Sequence, residues 1–222
     1  MGELSGAVNH WLDKMFGERL PNAKDQSSGT AFAAALTLSL IPKNAHTPVL
    51  YGTPRETARR ILEKHGIVIK PEERFVDFLV EDEASETRPG YLVACESEMY
   101  ADHGCGTSFE CEWYGGKWCR SNGYAWDFCK LLHFPAPYLL FVARTSESKF
   151  ARLEASLSQR AKEYRDLWDK RRLAVILLPT ARQGRHGIRL GEGQADGAIL
   201  FSRVEDACQG RIAEKHSRSV GP

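Results

Sequence analysis

At 222 residues, with 42% hydrophobic and 27% charged side chains, the chain has the composition of a folded domain and not of a disordered or fibrous protein. Thirty basic against 29 acidic residues leave a formal charge of +1, which excludes a bulk field able to draw in a polyanion, so any nucleic-acid site has to be local. The longest apolar run, AFAAALTLSLI (31 to 41), falls short of the about 20 residues of a bilayer span and lies too far into the chain for a signal sequence. The expectation is one cytoplasmic domain over 1-222 with no membrane partner.

In chain order, Leu4, Val8, Trp11, Leu12, Met15 and Phe16 recur at three- and four-residue steps and predict an amphipathic helix. The run from Ala31 to Ile41 predicts a second, mostly buried helix ended by Pro42, and 1-50 reads as a helical extension. Thr53, Pro54 and Glu56 stand where a capping box and an N1 proline stand. With Ala58, Ile61, Leu62 and the terminating Gly66 they predict a helix over 54-65. From Gly66 the period changes. IVIK, RFVDFLVED and GYLVACESE, separated by KPEE and ASETRPG, predict three consecutive antiparallel strands.

A polar insertion over 103-121 follows, in which FECEWY and KWCR flank Gly115-Gly116, the dipeptide of a two-residue hairpin loop. Ala125, Phe128, Cys129 and Leu132 predict a short helix stopped by Pro135 and Pro137. YLLFVAR (138 to 144) and LAVILLP lack polar alternation, as expected of strands covered on both faces. Between them Phe150, Leu153, Leu157, Ala161 and Tyr164 draw a long amphipathic helix. The segment 145-208 closes with GIRL and GAILFS, which are expected to pair around GEGQADG, before a frayed tail from about Gln209.

Six cysteines in a chain of this size without an export signal read as reduced thiols. Cys105, Cys111, Cys119 and Cys129 cluster near His103, which makes a zinc-stabilised interaction module one alternative. None of them forms a CxxC knuckle, so free thiols are the preferred reading.

The chemistry concentrates at the end of YLVACESE. Successive strand residues point to opposite faces, so Glu96 and Glu98 share one face and Cys95 and Ser97 the other. Asp77 interrupts FVDFLV in the same way, and adjacent strands bring it beside Glu96. Converging carboxylates repel strongly in a low-dielectric site unless a cation neutralises them, and oxygen ligands select Mg2+, Mn2+ or Ca2+ over zinc. Lys130 stands three residues after Asp127 on the helix that follows, on a face distinct from its apolar side. The bland alternatives are an edge-strand gatekeeper for Asp77, a solvated strand end for Glu98 and an exposed pair for Asp127 and Lys130.

Asp77, Glu96-Ser97-Glu98 and Lys130, in this order of elements, resemble the PD-(D/E)XK, or restriction-endonuclease-like, nuclease superfamily. The resemblance covers 54-144 and implies an α/β fold with a core of helix, three strands, helix and strand, its mixed sheet flanked by helices. It implies that Asp77 and Glu96 bind Mg2+ or Mn2+, with the carbonyl of Ser97 completing the shell. Glu98 occupies the usual Lys position, a departure; Lys130 matches members in which that Lys has migrated to the following helix. The implied activity is a metal-dependent nuclease hydrolysing DNA phosphodiesters, as in restriction-type endonucleases, with Asp77, Glu96, Glu98 and Lys130 catalytic and a homodimer where both strands are cut. A catalytically silent relative that binds DNA or a protein partner is the alternative. The first-helix acids Glu56 and Glu63 are further candidate ligands. Arg182, Arg185 and Arg189, with His186, form a basic stretch suited to phosphate contacts, and Trp113, Tyr114 and Trp118 on the hairpin are read as packing residues.

Overall fold

The computed structural model describes residues 2–17, 26–85, 90–99, 113–114, 117–118, 123–180 and 187–204. It is an α/β fold built on a seven-stranded mixed sheet. In spatial order the strands are β1 (Pro48–Gly52), β2 (Phe78–Asp82), β3 (Tyr91–Glu98), β6 (Tyr138–Thr145), β7 (Arg172–Pro179), β8 (Arg189–Gly193) and β9 (Ile199–Arg203). Pairing is parallel from β3 to β6 and from β6 to β7, and antiparallel elsewhere. A parallel pair needs a crossover. The two crossovers are α4 (Gly123–His133), and α5 (Phe150–Glu163) with the short α6 (Arg165–Trp168). β4 (Trp113–Tyr114) and β5 (Lys117–Trp118) pair antiparallel, and Gly115 and Gly116 lie outside the described residues.

Alternation along the strands divides the interior into two cores, one on each face of the sheet. Phe78, Val80, Cys95, Leu140, Val142 and Ile176 pack under α1 (Gly2–Phe16), α2 (Gln26–Ser39) and α3 (Glu56–Lys64). Leu79, Ala94, Phe141, Ala143, Val175 and Leu177 pack under α4, α5 and α6. This two-sided cover is why β6 and most of β7 are buried throughout. Among the described residues no helix is long and apolar enough to cross a membrane.

Three local expectations are corrected. The segment 67–70 is not a strand: Val68 is 83% exposed, and only Lys70 makes an isolated bridge, to Tyr51. Pro71 follows directly and has no N–H to continue a ladder. The first of the three antiparallel strands is instead β1, which begins inside the stretch read as an extension and pairs with β2 over its whole length. The helix over 54–65 forms as α3, but its N-cap is Arg55, with no side-chain cap hydrogen bond. Thr53 does not cap it, and Glu56 accepts from Arg59 and Arg60 instead of reaching back to the backbone. Likewise the helix at 31 to 41 belongs to the body of the fold. α2 lies against β3 and β2 and buries Ala31 through Thr37.

Candidate active site

The N-terminal end of β2 and the C-terminal end of β3 meet at one edge of the sheet's second core. Phe78 pairs with Cys95, so continuing the antiparallel register by one step sets Asp77, the residue preceding β2, opposite Glu96. Asp77 Oδ2 accepts hydrogen bonds from the backbone N–H of Ser97 at 2.8 Å and from its hydroxyl at 3.0 Å. Those two bonds fix the carboxylate against the end of β3. Gly52 at the end of β1 makes room for the Asp77 backbone. A Cβ there would lie 2.7 Å from the carbonyl oxygen of Asp77.

α4 brings the opposite charge. Tyr124, Phe128, Leu131 and Leu132 form its buried face, and the Phe128 ring stands edge-on to Phe141 of β6, centroids 5.3 Å apart. The Tyr124 hydroxyl donates to the carbonyl of Arg144 at 2.5 Å and ties the first turn to β6. At the other end the Arg171 guanidinium donates to the carbonyls of Leu132, at 2.7 Å, and Phe134. With both ends tied, Lys130 projects to the strand end. Its Nζ lies 2.7 Å from Glu96 Oε1 and 3.3 Å from Asp127 Oδ1. The contact with Glu96 is a close charge approach and not a well-directed hydrogen bond, since Oε1 has no donor aligned on it. Asp127 also shares a hydrogen bond with Glu98, so four acids and one ammonium occupy one cluster.

Burial governs the protonation of this cluster. The Glu96 side chain is 1% exposed; desolvation, then the charge of Asp77, push its carboxyl up to about 9 against the opposing pull of Lys130. Asp127 is raised for the same first reason, with Lys130 opposing. Desolvation works to lower Lys130, but the close contact with Glu96, together with the charge of Asp127, outweighs it and holds the ammonium above its ordinary value.

Beside the cluster opens a cavity of about 280 Å3. Asp77, Ser97 and Lys130 line it together with Arg55, Arg74 and Phe75. Arg74 is held there by Tyr51, whose ring lies 4.4 Å from the guanidinium, and by Glu72 and Glu81 at 3.2 and 3.4 Å. The cavity residues Arg55, Arg74 and Phe75 were not singled out from sequence. Phe75 read there as one more apolar residue of a strand, and only the bend before β2 turns it outward.

Other candidates fall elsewhere. Glu56 and Glu63 are half-exposed partners of Arg59 and Arg60 on α3. Arg189 lies two strands beyond β6 and sits 3.5 Å from Glu154 of α5. Arg182, Arg185, His186, His103, Cys105, Cys111 and Cys119 lie outside the described residues. Cys95 and Cys129 are free thiols. Among the described residues, no three His, Cys, Asp or Glu side chains stand together in an arrangement that holds a metal by themselves. The chain matches no protein-family model, no curated protein and no solved structure.

Proposed function

We propose that the chain is a metal-dependent nuclease of the PD-(D/E)XK type that hydrolyses DNA phosphodiester bonds. The observation that carries this reading is the 2.7 Å approach of Lys130 to a buried Glu96 at a strand end, with Asp77 fixed on the neighbouring strand. A buried acid and ammonium held at the rim of a polar cavity have no packing role to explain them. The order of elements supports the same reading once α2 is taken as the first helix. α2, β1, β2, β3, α4 and β6 then run helix, three strands, helix and strand, with α3, the helix expected to open the core, inserted after β1 and the β4–β5 hairpin after β3; this order is compatible with the restriction-endonuclease-like reading.

The donors fit a hard cation. Asp77 and Glu96, with the Ser97 carbonyl, would hold Mg2+ or Mn2+; Mg2+ commonly takes one or two carboxylates and leaves the rest of its shell to phosphate and water. Asp77 is already oriented for this by Ser97. The bound ion would supply Lewis acidity toward the scissile phosphate and a more acidic water. Lys130 sets a fixed positive charge where negative charge grows on the phosphate oxygens. Glu98, which shares a hydrogen bond with Asp127, or Lys130 would orient the attacking water.

The test is incubation with plasmid, linear and single-stranded DNA, with and without Mg2+ or Mn2+, beside Glu96→Ala. Metal-dependent cutting lost in Glu96→Ala is the expected result. Cutting that survives equally in the variant removes the assignment, and DNA binding without cutting by the parent protein moves the silent, DNA-holding alternative to first place.

A further inference from the structure

Phe75 is 65% exposed, although Val76 and Phe78 beside it are buried. An open aromatic ring at the entrance to β2 contributes nothing to either core. It stands on the wall of the cavity that also exposes Asp77, Ser97 and Lys130, and the Lys130 ammonium lies 5.8 Å from its ring. Arg55 and Arg74 also line the cavity, Arg74 stacked on Tyr51 and paired with Glu72 and Glu81. The cavity, at about 280 Å3, lies just below the ordinary range of small-ligand pockets.

Resting on the nuclease reading above, we propose that this cavity takes an unpaired nucleotide, its base stacked on Phe75 and its phosphate drawn to Arg55 and Lys130, so that the preferred substrate is single-stranded DNA. Every base has a π-face, so stacking on one aromatic gives affinity without sequence preference, while positive charge holds the backbone. In a duplex the same faces are covered by neighbouring bases. Reaching Phe75 then costs unstacking of a few kcal/mol, which a single strand does not incur. The ring's closeness to Lys130 places the phosphate adjoining a stacked base at the acid cluster.

The experiment measures fluorescence anisotropy of a labelled thymidine oligomer and of a duplex of equal length, with EDTA present so that binding is read without cleavage. The single strand is expected to bind more tightly. Phe75→Ala is expected to weaken single-strand binding about tenfold and change duplex binding less than twofold; Phe75→Trp keeps the single-strand affinity. A 2-aminopurine base in the strand should be quenched by the parent protein and by Phe75→Trp, but not by Phe75→Ala. Equal affinity for both DNA forms, or Phe75→Ala binding the single strand as the parent does, overturns the proposal. If the parent protein nevertheless cuts plasmid with Mg2+, only the single-strand preference falls. If it neither binds nor cuts any DNA, both readings fall together.

Discussion

On the nuclease reading the charge balance of the site turns on Lys130, whose ammonium lies 2.7 Å from Glu96 and 3.3 Å from Asp127. Truncation to Lys130→Ala is expected to lower metal-dependent cleavage about a hundredfold or more and to weaken DNA binding far less, measured by single-turnover rates beside a binding titration. Lys130→Arg should recover little of that loss, since a planar fork does not replace a compact ammonium in a fixed pocket. Glu96 carries the pH dependence. Its carboxyl titrates at about 9 in the fold against an ordinary 4.5, so between those values the folded chain binds more protons than the unfolded one. The stability linked to Glu96 is therefore full below about pH 4.5 and is lost as pH rises toward 9. Thermal melts of the metal-free protein from pH 5 to 9 should fall more steeply for the parent than for Glu96→Gln. Because a divalent cation has to displace the same proton, Mg2+ affinity is expected to rise over that interval.

At the scale of elements, the site is a meeting of two strand ends and one helix, each held by something outside the site. A methyl group at Gly52 would press on the Asp77 carbonyl and on the Phe78 ring at 2.8 Å, and backbone yields poorly. Gly52→Ala is expected to cost about 1–3 kcal/mol in urea melts and to lower cleavage by displacing Asp77. Gly66, with φ of 74° and open space around it, provides the contrast. Gly66→Ala should cost about 1 kcal/mol through its left-handed backbone and leave cleavage alone. α4 depends on Phe128 for its seat. Phe128→Ala removes the edge contact with Phe141 and is expected to cost about 3–5 kcal/mol.

For the molecule as a whole, the two cores make each face of the sheet depend on its helices. α1, α2 and β1 all lie before residue 54, and they cover or extend the half of the sheet that ends in Asp77 and Glu96. A fragment beginning at residue 54 would expose Phe78, Val80, Cys95 and Val142. It is expected to show no cooperative thermal transition by circular dichroism, whereas the full chain melts cooperatively.

The sequence by itself determined the elements whose residues report their own surroundings. The unbroken apolar runs of β6 and β7 announced cover on both faces. Alternation in YLVACESE put Glu96 and Glu98 on one side, and the spacing of Phe128 and Leu132 against Lys130 assigned the inner and outer faces of α4. Only the tertiary structure decided what those faces meet. β1 is five residues long, too short for a period to emerge, and it is a strand because β2 supplies its hydrogen bonds. IVIK has the composition of a strand but finds only the one bridge at Lys70. Thr53 had the spacing of a cap and lost the role because the turn places Arg55 there. The depth of Glu96 and the outward turn of Phe75 belong to the same class: periodicity fixes which side of its own element a residue faces, whereas burial and contact depend on segments distant in sequence.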